Sequence, residues 1–265
     1  MRRLLTFACA GETLAASLDD AGGATGVLMA IGGSQTRIGS HRMYERLAKA
    51  LADKGFPGFR YDRRGVGDSG GADPGFRGSG PDIASAAAAF RAEAPALRRM
   101  IGFGLCDGAT ALALFGAQAG LDGLILVNPW LVEVEEGDTP PPAAIRRHYR
   151  EQLTSREGWR KLLTGSVDWR KLLRGARKAS RASGQASLAV ETAAALRASG
   201  LPAWLILAEG DATAAAAEAE LKASAFEGLV SGREVLPTDS HTFARPGDEA
   251  ALLHAVERGI AGLLE

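Results

Sequence analysis

The run Gly104-Leu105-Cys106-Asp107-Gly108 sets a thiol midway between two glycines. That spacing suits a strand that turns sharply into a helix and displays a nucleophile at the bend, because neighbouring backbone comes too close to the flanking positions for any side chain there. Serine is the usual central residue, and here it is cysteine. The thiolate is the reactive form, and a nearby imidazole or a helix N-terminus favours it. Such a group attacks acyl carbons. To do so it needs a base, a carboxylate to orient the base, and N–H donors for the developing oxyanion. The competing reading is a buried structural cysteine, a common fate for a free thiol.

Candidates for each partner fall beyond strand ends. His241, in TDSHTF, sits in a loop after the strand at 233–237. The other histidines are poorer bases: His41 and His254 lie in predicted helices, and His148 lies in a cationic stretch. Asp211 follows the strand at 202–208 and is the better placed acid. Asp239, two residues before His241, is a turn former or a rival. Gly32-Gly33-Ser34-Gln35 closes the strand at 26–33, where Gly33 or Ser34 is expected to donate with the Asp107 N–H to an oxyanion. An ordinary tight turn is the alternative there. Arg64, Gly65 and Gly67, in DRRGVGDS (62–69), read as structural residues of a turn.

The elements that must position these residues alternate. A hairpin pairs LLTFACA with TLAASLDD across a turn at Gly11-Glu12. A strand at 26–33 precedes an amphipathic helix at 40–55, with Ser40 as its expected N-cap and Gly55 as its stop. Then come a strand at 58–62, a helix at 81–95, a strand at 98–105 and a helix at 107–120. Strands at 121–130, 202–211 and 233–237 follow, and a helix at 248–264 ends the chain. Continuous apolar strands alternating with helices predict a mostly parallel, doubly wound α/β sheet covered on both faces. Ligands gather at the carboxyl ends of such strands. Residues 132–200 interrupt the pattern and read as an inserted helical cap, leaving 1–131 and 201–265 as the core domain. Between 145 and 181 the cap has twelve Lys or Arg against three Asp or Glu, and WRKLL occurs twice, at 159–163 and 169–173.

At 265 residues the chain is long enough for one large core. Its 46% hydrophobic and 23% charged residues argue against disorder. Zero formal net charge gives no general attraction to nucleic acid or anionic membrane, and no nucleic-acid motif appears. Cys9 and Cys106 are too few for a disulfide framework, which favours a reducing, cytoplasmic setting. No apolar run reaches the roughly 18 residues of a membrane span. MRRLLTFACAGE resembles a short signal peptide but fits better as the first strand. No metal-ligand spacing is present and no cofactor is expected.

The order nucleophile, acid, base and the motifs together make the chain resemble the α/β-hydrolases over nearly its whole length. More narrowly, GLCDGA with GGSQTRIGSHR and DRRGVGDS resembles the hydrolases associated with the bacterial exosortase system. That resemblance implies Cys106 as nucleophile, Asp211 as acid and His241 as base. Genes for an acyl-activating ligase and a carrier protein accompany that family, which implies thioester chemistry. The expected activity is hydrolysis of an acyl ester or thioester through an acyl-cysteine. The alternatives are acyl transfer from a carrier-protein or CoA thioester, and a non-catalytic binding module.

Overall fold

The computed structural model describes residues 1–132, 187–222 and 224–265. Eight strands form one sheet: β1 Arg2–Cys9, β2 Glu12–Asp19, β3 Thr25–Ala30, β4 Gly58–Tyr61, β5 Arg99–Leu105, β6 Gly123–Val127, β7 Ala203–Ala208 and β8 Gly232–Leu236. Their spatial order is β1-β2-β4-β3-β5-β6-β7-β8. Both β1–β2 and β2–β4 are antiparallel, and every other pairing is parallel. This is the mostly parallel, doubly wound sheet that the alternation of elements predicts, in the α/β-hydrolase arrangement that the resemblance implies.

Parallel strands covered on both faces need apolar residues at every position, and β6 shows why. Leu124 and Leu126 join one buried cluster, with Phe59, Ile83, Phe90 and Leu112. Ile125 and Val127 point into the other, with Tyr44, Leu51, Phe103, Val256 and Ile260. Fully burying each such side chain stabilises the fold by about 1.5–3 kcal/mol. Helices α1 (Met43–Asp53) and α6 (Asp248–Leu264) cover the second cluster. Helices α2 (Gly80–Glu93), α3 (Asp107–Phe115), α4 (Leu188–Ser199) and α5 (Ala212–Leu221) cover the first. No helix among the described residues is long and apolar enough to cross a membrane.

Several local expectations shift. The hairpin turns at Ala10 and Gly11, both at positive φ (49° and 85°), rather than at Gly11-Glu12. Ser40 does not cap α1. It lies in a 3-10 turn, and its N–H and hydroxyl both donate to Gln35 Oε1. His41 and Arg42 then take left-handed φ values of 41° and 66°, which separates that turn from α1. Helix α3 is shorter than the 107–120 expected. Of the segment read as a cap, residues 188–199 are α4, whose Leu188, Ala189, Ala193 and Leu196 share the first buried cluster. The cationic stretch at 145–181, both WRKLL copies and His148 lie outside the described residues.

From β3 the chain passes to β4 on one side and returns to β5 on the other, so the strand order reverses between β3 and β5. Their register runs through Ala30 opposite Gly104. The loops leaving both strands therefore meet at one crevice, as such reversals require.

Candidate active site

Cys106 stands at the bend between β5 and α3 with φ 60° and ψ −128°, a conformation a non-glycine residue adopts only when its surroundings impose it. Such strain costs about 1–3 kcal/mol, and hydrogen bonds on both sides hold it. The Cys106 N–H donates to the Val127 carbonyl at 3.0 Å, and the Trp130 N–H donates to the Cys106 carbonyl at 3.2 Å. Thr110, fully buried, donates its hydroxyl to the Trp130 carbonyl at 2.6 Å, tying α3 to the segment after β6. A Cβ at position 104 would lie 2.6 Å from the Gly108 carbonyl carbon, and one at 108 would lie 2.5 Å from the Ala30 oxygen. Both glycines are therefore required by backbone contact. The thiol is half-buried and not sealed in the core.

The acid and base come from the next strand ends. Asp211, 7% exposed, caps α5: its Oδ2 accepts the Ala214 N–H at 2.9 Å. The same oxygen faces His241 Nδ1 at 3.0 Å. Asp239 instead binds Arg245 through both carboxylate oxygens, at 2.9 and 3.1 Å. Position 210 has to be glycine for the two loops to meet, since a Cβ there would sit 2.5 Å from Asp239 Cα. His241 is pushed up to about 10, first by its hydrogen bond to Asp211 and next by one to Cys106, against burial, which lowers it. One imidazole thus bonds the carboxylate and feels the sulfur. With Nδ1 on Asp211, Nε2 is the nitrogen left to exchange a proton with Cys106.

The loop after β3 carries the third component. The Gly33 N–H donates to Asp107 Oδ1 at 2.6 Å. Among the described residues no acceptor faces the backbone N–H of Ser34 or of Asp107. Of the two donors left open by the sequence, Gly33 is therefore engaged and Ser34 is available beside Asp107. Asp73 is held below the usual carboxylate range first by Arg63, which grips it with Nε and Nη2 at 2.7 and 2.8 Å, and also by Ser34. Arg64 binds the fully buried Asp82 through its guanidinium and its N–H, and a Cβ at Gly67 would strike Asp62 Oδ2 at 2.4 Å. The DRRGVGDS segment thus braces the top of the sheet.

Two positioning residues escaped the sequence reading. Asn128, fully buried at φ 40°, accepts the Ala208 N–H at 2.8 Å and donates to the His241 carbonyl at 3.3 Å. His41 Nε2 donates to the Thr242 carbonyl at 2.8 Å while its Nδ1 accepts from Arg46 at 3.1 Å. Each holds the loop that carries His241. The asparagine's place just beyond a strand end was the one available signal, because both sets of partners are distant in the chain. Among the described residues no three His, Cys, Asp or Glu side chains form a metal-sized cluster.

A model of the family described as serine aminopeptidase, S33, matches residues 36–181. No curated protein matches the chain. Among solved structures, the Pyrococcus furiosus esterase Pf2001 aligns at a TM-score of 0.64 and 13% identity, over 98% of this chain and 93% of its own. The α/β hydrolase GrgF from Penicillium sp. aligns at 0.63 and 18% identity, over 99% and 98%. A dienelactone hydrolase from Anabaena variabilis aligns at 0.63 and 15% identity, over 98% and 97%. At these identities the likeness carries the fold.

Proposed function

The chain belongs to the serine aminopeptidase S33 family of α/β-hydrolases, and on that premise we propose that it cleaves acyl esters or thioesters through a covalent intermediate on Cys106. The family's name specifies serine, and this chain has Cys106 at the bend where a serine would stand. The observation that carries the reading is His241 Nδ1 set 3.0 Å from Asp211 Oδ2, on a ring that Cys106, after Asp211, pushes up. Esterases and a dienelactone hydrolase among the similar folds support the substrate class.

In the proposed cycle, His241 Nε2, pushed up to about 10, already holds the proton given up by the thiol, and the sulfur bonds to the acyl carbon as thiolate while the carbonyl electron pair moves onto oxygen. The N–H groups of Ser34 and Asp107 receive that oxyanion. Collapse breaks the bond to the alkoxide or thiolate leaving group, which departs with the proton from His241. Water then gives a proton to His241 and its oxygen to the acyl carbon. The second collapse expels the Cys106 sulfur as thiolate beside the protonated His241, and a carboxylic acid leaves. Asp211 holds the ring and stabilises the imidazolium without itself being protonated.

A second reading is acyl transfer to an amine or thiol, and the thiol nucleophile favours it, since thioesters react readily with both. The cationic stretch at 145–181 suits a carrier protein or the phosphates of coenzyme A. Membership of the exosortase-associated hydrolases, carried by GLCDGA and DRRGVGDS, belongs to the same proposal. Both cysteines are free, which fits a cytoplasmic setting.

Mass spectrometry after incubation with an acyl-CoA tests these readings. An adduct of acyl mass on Cys106, absent in Cys106→Ala, is expected. Persistence of the adduct in water until an amine or thiol is added selects transfer. If no donor leaves an adduct and iodoacetamide labels wild type and His241→Ala at equal rates, the catalytic reading falls and a binding module takes its place.

A further inference from the structure

We propose that the Asp107 carboxylate is a latch that fastens the loop after β3 to the elbow and thereby aims the Ser34 N–H at the oxyanion. The proposal rests on the acyl-cysteine reading and deepens it. It assigns a side-chain role to a residue whose backbone alone the sequence singled out.

One contact and two features of the glycines support the latch. Asp107 Oδ1 takes the Gly33 N–H at 2.6 Å, across seventy-four residues of sequence. Gly32 leaves room for that oxygen, because a Cβ there would lie 2.6 Å from it and 2.4 Å from the Leu105 carbonyl oxygen. Gly33 adopts φ 61°, which turns its N–H toward α3 at a value that strains side-chain-bearing residues. Two adjacent glycines lose the most conformational freedom when a loop is ordered, and a hydrogen bond to a carboxylate offsets part of that cost.

Arg63, which grips Asp73 through Nε and Nη2, also acts electrostatically on Asp107. Gly33 is fixed through its N–H, and the N–H of the next residue, Ser34, is left for substrate.

The test compares two reactions of the same sulfur. With p-nitrophenyl acetate the sulfur attacks the carbonyl carbon, an oxyanion forms, and p-nitrophenolate leaves with its electron pair. With iodoacetamide the sulfur displaces iodide at a saturated carbon and no oxyanion arises. In Asp107→Ala the p-nitrophenolate burst rate should fall by about 10–100-fold, below the loss expected for deleting a donor outright, through kcat rather than KM. Iodoacetamide labelling of Cys106 should stay within about twofold, since no donor is involved. Asp107→Asn keeps an oxygen acceptor without the charge and should recover most of the burst, with an unchanged melting temperature showing that the fold is intact.

An undiminished or faster burst in Asp107→Ala overturns the latch, the latter marking the carboxylate as an obstruction. Equal loss in both reactions overturns it too, because the damage would then lie in the sulfur's placement. Should wild type give no burst while its thiol is still alkylated, the acyl-cysteine reading fails first and removes the latch's catalytic role with it.

Discussion

Replacing Asp211 by asparagine changes the charge beside the base while leaving most of the surrounding structure in place. The carboxylate's Oδ2 serves the Ala214 N–H and His241 Nδ1 together, at 2.9 and 3.0 Å. Asparagine caps a helix about as well as aspartate, so the start of α5 survives and the stability loss should stay below about 1 kcal/mol. The base, however, loses the first of the causes that push it up to about 10. A hydrogen bond to a charged partner is worth about 1.5–3 kcal/mol, and about 1.4 kcal/mol corresponds to one pH unit. The ring should therefore come down by about one to two pH units. The high-pH limb of kcat/KM, where the imidazolium loses its proton, should move down by the same interval. At its optimum, kcat for an acyl thioester should drop by about 10⁴-fold, the loss seen when the orienting carboxylate of a Ser-His-Asp triad becomes an amide. Decay of thioester absorbance across pH follows both effects. An unmoved limb, with kcat within about tenfold of wild type, would refute the reasoning, because Asp211 would then neither charge nor align the ring.

The same linkage reaches stability. His241 holds its proton more tightly folded than unfolded, so its contribution is full below about pH 6.5 and is lost as the pH climbs through about 10, which urea titrations of wild type and His241→Ala should resolve. Glu45 behaves in the opposite sense. Arg42 first and Arg2 next bring it down to about 2, so the stability it gives above about pH 4.5 disappears as the pH falls toward 2 and should be missing from Glu45→Gln throughout. Gly104→Ala forces a Cβ to 2.6 Å from the Gly108 carbonyl carbon and should cost about 1–3 kcal/mol. Calorimetry reads that as about 2–4 °C per kcal/mol, and an unchanged melting point contradicts the close approach. Asn128→Ala strips the acceptor from the buried Ala208 N–H and should cost about 1–3 kcal/mol. Amide exchange at Ala208 should then speed up, and protection equal to wild type would show that the bond contributes nothing.

How legible each feature was depended on how far its cause lies along the chain. The apolar runs at 101–105 and 124–127 announced buried parallel strands, because burial on both faces demands apolar residues without alternation. Gly104 announced the bend because the clash it avoids is with Gly108 and Ala109 close by in the chain, whereas the clash Gly108 avoids is with Ala30, which only the fold brings near. The cap at Ser40 failed because the loop's own bonds to Gln35 and two left-handed residues outweighed a local preference. Helix α5 had its signal, an aspartate before an alanine-rich run, but Asp211 was read for its acid chemistry alone. Asn128 had only its place just beyond a strand end as a signal and His41 had none, since their partners at 241 and 242 are more than a hundred residues away.

Residue types and spacing by themselves determined that a thiol, an imidazole and a carboxylate would each follow a strand of a doubly wound sheet. They determined this because strand periodicity, sharp bends and capping are set by contacts within a few residues. The folded chain alone decided that the His241 ring meets Asp211, that Asp239 goes to Arg245, and that the Gly33 donor is taken. Those choices turn on distances of about 3 Å between segments remote in sequence, which the packing of the sheet and its helices sets.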